Sequence, residues 1–211
     1  MNYDNPLGAE FRSVRKAEHR GKPARAIEGS RLYSIEAADL WDALTDPERI
    51  ARWFLPIRGD LELGGRYQLE GNAEGTIQRC DPPEALDVTW EFAGNVSWVS
   101  VRLAPERDGT RLTLVHTMLE DEAGEAHWET YGPGAVGVGW DLSFLGLGMH
   151  LESGGEAIDP ATTEAWLVSE PGKAFLRAIA ESWGRAHTEA GEDAEVAQAM
   201  ASRTASFYMG E

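Results

Sequence analysis

The sequence predicts an α+β domain in which a meander of antiparallel strands is covered by one long helix. Three observations carry this prediction. Apolar and polar residues alternate in short runs from residue 61 to residue 118, which is typical of half-buried strands. Residues 133–153 hold an apolar stripe at helical spacing. Residues 158–211 carry further helical patterns, which predict an α-helical C-terminal extension.

The stretch 133–153 is the centre of the predicted domain. Its stripe consists of Val136, Trp140, Phe144, Leu147 and Leu151. The opposite side carries Leu142, Leu145 and Met149. A helix that is apolar on both sides must be covered on both sides. The helix also holds Gly137, Gly139, Gly146 and Gly148, each costing about 1 kcal/mol relative to alanine. These glycines indicate either close backbone packing or room for a ligand.

In the N-terminal part, the sequence predicts two strands followed by two short helices. Residues 11–18 and 25–34 have weak strand patterns, and residues 1–10 are predicted to be frayed. Residues 36–44 have a helical pattern. Asp46 and Pro47 then supply the cap and the first-turn proline of a second helix, which ends before a further proline.

The meander follows in order. A hairpin around Gly64–Gly65 is predicted to join residues 61–63 to residues 67–69. Further strands are predicted at 75–80, 86–92, 99–103 and 112–118, and a polar linker at 120–129. These strands share one apolar face, which needs a cover.

Three helices are predicted in the C-terminal extension. Asp159–Pro160 and Ser169 are start signals for two of them, and residues 195–208 form the third, with Val196, Met200 and Phe207 buried. Apolar residues that match the free side of the long helix are Trp166, Leu167, Phe175, Leu176, Ile179 and Trp183. We therefore predict a domain at 1–157 and an extension at 158–211, packed on the long helix within one chain or exchanged between two subunits.

Composition narrows the possible partners and the compartment. A net charge of −17 argues against nucleic acid and anionic membranes as partners. No run approaches the roughly 18 apolar residues of a membrane span, and no signal peptide is recognisable. The single cysteine, Cys80, suits a reducing compartment, so a cytoplasmic location is predicted. The basic residues of 1–25 are expected to fold back on the acidic body.

The candidate site is an apolar cavity between sheet and helix. The predicted ligand-binding residues are Tyr67, Leu69, Trp90, Leu114, His116, Trp140 and Phe144, with Trp53 near the rim. Each aromatic residue is also explained by ordinary core packing. His116 lies on the predicted inner face, where three roles are open to it: a core residue with a hydrogen-bond partner, a polar contact of the ligand, or a general base. Scattered histidines and the absence of phosphate-loop, dinucleotide or nucleophile-elbow motifs predict no metal and no cofactor.

Several motifs resemble a known family in sequence and in order. They are Leu40–Trp53, Gly64–Tyr67, Gly75–Ile77, Pro82–Pro83, Thr89–Trp90, Gly109–Leu114 and Gly139–Leu147. The pattern, over about residues 25–153, is similar to AHSA-type proteins (homologues of the activator of heat-shock-protein ATPase) in the START/SRPBCC superfamily. The resemblance implies a helix-grip fold: a curved antiparallel sheet around a long C-terminal helix, with a hydrophobic cavity between them. Superfamily members bind lipids, hormones or polyketides, and some cyclise or hydroxylate them. The C-terminal extension departs from this pattern, and the separate N-terminal domain of the eukaryotic chaperone activators is missing.

These observations predict binding of a small hydrophobic molecule without clear catalysis. One alternative is a cyclase- or hydrolase-type enzyme that uses His116, which a buried charged partner of that residue would favour. Another is a chaperone-associated interaction module, which a wide exposed apolar patch away from the cavity would favour. The sequence leaves open the identity of the ligand and the oligomeric state, including a homodimer.

Overall fold

A computed structural model describes residues 8–211, apart from the side chains of residues 122 and 123. The fraying predicted for residues 1–7 lies outside this range. Within it, the strands are β1 (Phe11–His19), β2 (Lys22–Tyr33), β3 (Ile57–Gly59), β4 (Arg66–Leu69), β5 (Glu74–Asp81), β6 (Ala85–Phe92), β7 (Asn95–Glu106) and β8 (Gly109–Leu119). They form one curved antiparallel sheet in the order β1-β2-β8-β7-β6-β5-β4-β3. The predicted antiparallel meander is confirmed.

The helices of the described chain complete the α+β fold. They are α1 (Ala37–Thr45), α2 (Pro47–Trp53), α3 (Glu122–Tyr131), α4 (Gly134–Glu152), α5 (Pro160–Leu167), α6 (Glu170–Glu189) and α7 (Ala194–Met209). The predicted caps are made: Asp46 accepts a hydrogen bond from the Arg49 backbone at 2.9 Å, and Ser169 accepts one from Gly172 at 3.3 Å. Each cap satisfies an N–H group that has no partner within the helix.

The register of the sheet aligns one row of side chains across six strands. The row consists of Val14, Ile27, His116, Val99, Val88 and Ile77. Val14 and Ile27 pack with helix α6, whereas Val88 and Val99 pack with Phe144 of helix α4. Helix α6 therefore lies beside α4 on the same face of the sheet, and His116 sits at the boundary between the two halves.

Two elements differ from the predicted ones. The strand expected at 61–63 lies at 57–59, because residues 64 and 65 bond to β5 instead of closing a tight hairpin. The Gly64 N–H donates to the Ile77 carbonyl at 2.8 Å, and the Ile77 N–H donates to Gly65 at 3.0 Å. The linker expected at 120–129 contains helix α3, which the Asp121 side chain caps through Gly124. An exposed polar helix has little apolar periodicity, so the pattern did not reveal it.

The glycines of α4 allow close packing. A Cβ atom at Gly137 would clash with the indole ring of Trp183 on α6, and one at Gly148 would lie 2.7 Å from Nη2 of Arg31 on β2. Close backbone packing, one of the two uses predicted for these glycines, therefore explains Gly137 and Gly148. Gly148 packs against the sheet, and Gly137 packs against the C-terminal extension.

Asp141 of α4 is fully buried and joins three parts of the chain. It accepts hydrogen bonds from the Ala9 backbone at 2.7 Å, from Arg12 Nε at 3.0 Å and from the Trp183 indole at 2.7 Å. Ala9 is 2% exposed, so the fraying predicted for residues 1–10 is wrong at this residue. Arg12 confirms that the basic N-terminal segment pairs with the acidic body. A buried carboxylate needs such partners to offset its lost hydration.

The outer side of the extension is more open than predicted. Met200 is buried, but Val196 is 42% exposed and Phe207 is 61% exposed. Both predictions of burial are wrong, because α7 packs mainly through the small residues Ala197, Ala201 and Ala205. Across residues 8–211 we find no helix that could span a lipid bilayer.

Candidate functional site

An apolar cavity of about 180 Å³ lies between the sheet, helix α4 and the α1–α2 segment. The predicted ligand-binding residues that line it are Trp53, Tyr67, Leu69, Trp90, Leu114, Trp140 and Phe144. They come from two helices and three strands, and the sheet topology brings them together. Their role in binding stays a prediction.

The remaining predicted residue, His116, is not on the cavity wall. It is 3% exposed and lies behind the two wall indoles, with ring centroids 6.1 Å from Trp90 and 5.9 Å from Trp140. Alternation along β8 correctly turned its side chain to the inner face. The larger tryptophan rings then cover it, which a strand pattern does not report.

Other wall residues were missed by the sequence reasoning. Among them are Phe54, Ile57 and Leu61, in and around the short strand β3, and Cys80 on β5. Strand β3 has three residues, too few to show a two-residue period, and Leu61 lies in the predicted strand that the structure does not form. Their apolar character next to Trp53 was the available signal.

Three polar side chains of the wall donate to backbone carbonyls. The Tyr67 hydroxyl donates to Thr89 at 2.7 Å, the Ser143 hydroxyl donates to Gly139 at 2.9 Å and the Trp53 indole donates to Ala43 at 2.9 Å. Burial raises the pKa of Tyr67, so its hydroxyl stays protonated. The donors of these three side chains are therefore already used, and the cavity surface is predominantly apolar.

A chain of hydrogen bonds runs behind the cavity wall. The Trp140 indole Nε1 donates to His116 Nδ1 at 3.1 Å, and His116 Nε2 lies 2.7 Å from the Ser97 hydroxyl. The Ser97 hydroxyl donates to the Trp90 carbonyl at 3.1 Å. Because an indole N–H only donates, Nδ1 of His116 must accept, and the ring proton lies on Nε2. The chain then runs in one direction, from Trp140 to Trp90.

This arrangement keeps His116 neutral. Burial lowers the pKa of His116 from 6.5 to about 4, and desolvation is the cause. A general base needs a free lone pair within reach of its substrate, whereas the Nδ1 lone pair is occupied by Trp140. In the part of the chain that the structure describes, no carboxylate hydrogen-bonds to the ring. The buried charged partner that would favour the enzyme alternative is not found there.

A metal site has no support in the described structure. Residues 8–211 contain no group of three or more histidine, cysteine, aspartate or glutamate side chains that could hold a metal ion.

The curved sheet, the long helix gripped by it and the apolar cavity between them define a helix-grip domain. The sequence model of the family described as "Activator of Hsp90 ATPase homolog 1-like protein" matches residues 34–152, more than half of the chain. The protein therefore belongs to this family. The resemblance drawn from the sequence motifs is confirmed.

Solved structures extend the likeness beyond those residues. The crystal structure of CalU16 from Micromonospora echinospora is 34% identical, with a TM-score of 0.60, over 80% of this chain and 97% of that one. Its solution structure is 31% identical, with a TM-score of 0.69, over 90% and 100% of the two chains. The protein MLL2253 from Mesorhizobium loti, 24% identical with a TM-score of 0.53 over 61% and 98%, shares the fold. Comparison with curated proteins finds no match.

Proposed function

We propose that this protein binds a small apolar molecule in the cavity between the sheet and helix α4. The observation that carries the proposal is an apolar cavity of about 180 Å³. The hydroxyls of Tyr67 and Ser143 and the indole N–H of Trp53, all on its wall, donate to backbone carbonyls. An apolar cavity of roughly 150 Å³ in another protein stays dry and binds benzene. Sites for drug-sized ligands are larger, at roughly 300–1,000 Å³, so the expected ligand is small.

The driving force is removal of apolar ligand surface from water. Burial contributes roughly 25 cal/mol per Å², and the cost of association reduces the net gain. Binding contributes at most roughly 1.5 kcal/mol per non-hydrogen atom for the smallest ligands and about 0.3 for drug-sized ones. At roughly 0.8 kcal/mol per atom, between these limits, a two-ring hydrocarbon of ten carbon atoms should bind with a Kd of about 1 μM.

Calorimetric titration with naphthalene and, separately, with decalin tests this proposal. The two probes share a bicyclic carbon skeleton, and saturable binding of either one supports an apolar ligand site. Val101→Phe places a larger side chain on the cavity wall and should weaken binding of both probes at least about tenfold, because the ring occupies the space. Val196→Phe makes the same change on exposed α7 and should leave binding unchanged.

Two results would contradict the proposal. Wild-type protein that binds neither hydrocarbon has no such site, and equal effects of the two variants would place binding outside the cavity. Native mass spectrometry of freshly purified protein adds an independent check, since it detects co-purified ligand. The same spectrum gives the subunit count, which decides whether the protein is a homodimer.

We also propose a cytoplasmic location without nucleic-acid or membrane partners. The net charge of −17 opposes binding to polyanions, and the lone Cys80 suits a reducing compartment. Among the side chains that the structure describes, the large exposed apolar ones lie on β1, the β3–β4 loop, the β6–β7 hairpin, the end of α5 and α7. Scattered single residues of this kind are ordinary on protein surfaces, so they give an interaction module no support.

A further inference from the structure

The cavity has an aromatic wall whose geometry is specified by hydrogen bonds. Trp90 and Trp140 both line the cavity, with ring centroids 5.1 Å apart and planes inclined at 62°. This is an edge-to-face pair, the arrangement that the charge distribution of aromatic rings favours. The Trp140 indole is fixed at its nitrogen by His116, and the backbone of Trp90 is bound by Ser97.

The hydrogen-bonded chain makes rotation of Trp140 costly. Turning the indole would leave Nδ1 of His116 without a donor at a site that is 3% exposed. A buried polar atom that loses its hydrogen-bond partner is strongly disfavoured. The Ser97 hydroxyl lies 2.7 Å from the opposite edge of the histidine ring, so turning the ring to follow Trp140 would break this second hydrogen bond. The chain therefore determines which ring surfaces face the cavity.

We infer that His116 and Ser97 are positioning residues that orient Trp140 beside Trp90, so that the cavity selects small aromatic ligands over saturated ones with the same carbon skeleton. Hydrophobic burial is non-directional, so it stabilises both kinds of ligand whatever the orientation of the indoles. An aromatic ligand gains in addition from ring pairing at fixed angles, and this gain depends on the orientation of the indoles. The inference rests on the proposed function and names the ligand class of the same site.

The ratio of decalin to naphthalene dissociation constants measures this selectivity. Wild-type protein should bind naphthalene about three- to tenfold more tightly than decalin, the factor that corresponds to one favourable aromatic pair. His116→Leu removes both hydrogen bonds of the ring and should bring the ratio close to one, mainly through weaker naphthalene binding. His116→Gln keeps a donor and an acceptor and should restore much of the ratio. The near-ultraviolet circular dichroism of the coupled indoles should change in His116→Leu and recover in His116→Gln.

Ser97→Ala provides a second test if His116→Leu does not fold. It removes only the hydroxyl that anchors the histidine ring, and it should lower the ratio in the same direction. Equal wild-type affinities for the two hydrocarbons would overturn the inference while leaving the proposed apolar site in place. A ratio that stays at its wild-type value in His116→Leu, or in Ser97→Ala where that is the folded variant, would also overturn it. If neither hydrocarbon binds wild-type protein, the proposed function and the inference fail together.

Discussion

At the scale of single residues, His116 and Asp141 show how burial decides the role of a polar group. His116 is neutral and serves as the middle of a hydrogen-bonded chain. Asp141 pairs with the Arg12 guanidinium and accepts the Trp183 indole, so its carboxylate is satisfied inside the core. Each polar group is thus compensated by partners from distant parts of the chain.

The lowered pKa of His116 predicts a pH dependence of stability. The unfolded chain protonates this histidine near pH 6.5, whereas the folded chain does so only near its pKa of about 4. The unfolded state therefore binds the extra proton as the pH falls through this window. The stability from neutral His116 is fully present above about pH 6.5 and is lost as the pH falls toward 4.

Urea unfolding of wild-type protein and His116→Gln at several pH values measures this effect. Between neutral pH and pH 4, the free energy of unfolding of the wild type should fall by up to about 3 kcal/mol more than that of His116→Gln. The variant carries all the other titrating groups, so their contributions cancel. Parallel pH curves for the two proteins would show that His116 titrates normally.

At the scale of elements, helix α4 is gripped from two sides. Phe144 and Leu147 pack toward the sheet and α1, whereas Leu145 and Met149 pack in the core shared with α6. The two apolar sides predicted from the sequence match these two cores except at Val136, which packs in the core shared with α6. Gly137 belongs to the second contact, because the buried Trp183 ring lies against its backbone.

Alanine substitution separates packing from helix propensity. Gly137→Ala should lower the free energy of unfolding by about 1–3 kcal/mol, the usual cost of overpacking a core, despite the better helix former. Gly139→Ala is the matched control, because its methyl group meets the Tyr208 hydroxyl at 3.3 Å and avoids the indole. It should cost less or stabilise the helix. Thermal unfolding gives both values, and equal destabilisation would show that Trp183 can move aside.

At the scale of the whole molecule, residues 158–211 share a core with the helix-grip domain. Phe175, Leu176, Ile179 and Trp183 are buried in the cluster that includes Ile27 of β2 and Leu145 of α4. Burying each such side chain contributes about 1.5–3 kcal/mol. Together these contributions are comparable to the whole stability of a typical domain, about 5–15 kcal/mol. The division at residue 157 stays a prediction, and we propose that the extension is required for the fold.

Deletion of residues 158–211 should give insoluble protein or a sharply lower melting temperature. The control is the full chain cut within the exposed residues 156–157, which loses the covalent link but keeps the contacts. The cut protein should remain one particle in gel filtration and melt close to the intact protein. A truncated chain that melts like the full one would show that the extension is an independent module.

The sequence by itself determined the strands of the meander apart from β3, the long helix with its two apolar sides, the helical extension and the family. These features are written as periods of two and 3.6 residues and as short motifs, which depend on neighbours close in the chain. Only the tertiary structure decided the position of His116 behind the wall, the cavity residues in and around β3 and the role of Asp141. The physical reason is distance along the chain: Trp140 binds a residue 24 positions away and Asp141 one 132 positions away. A local period tells which face a side chain occupies, whereas its partners are fixed when the sheet and helices pack together.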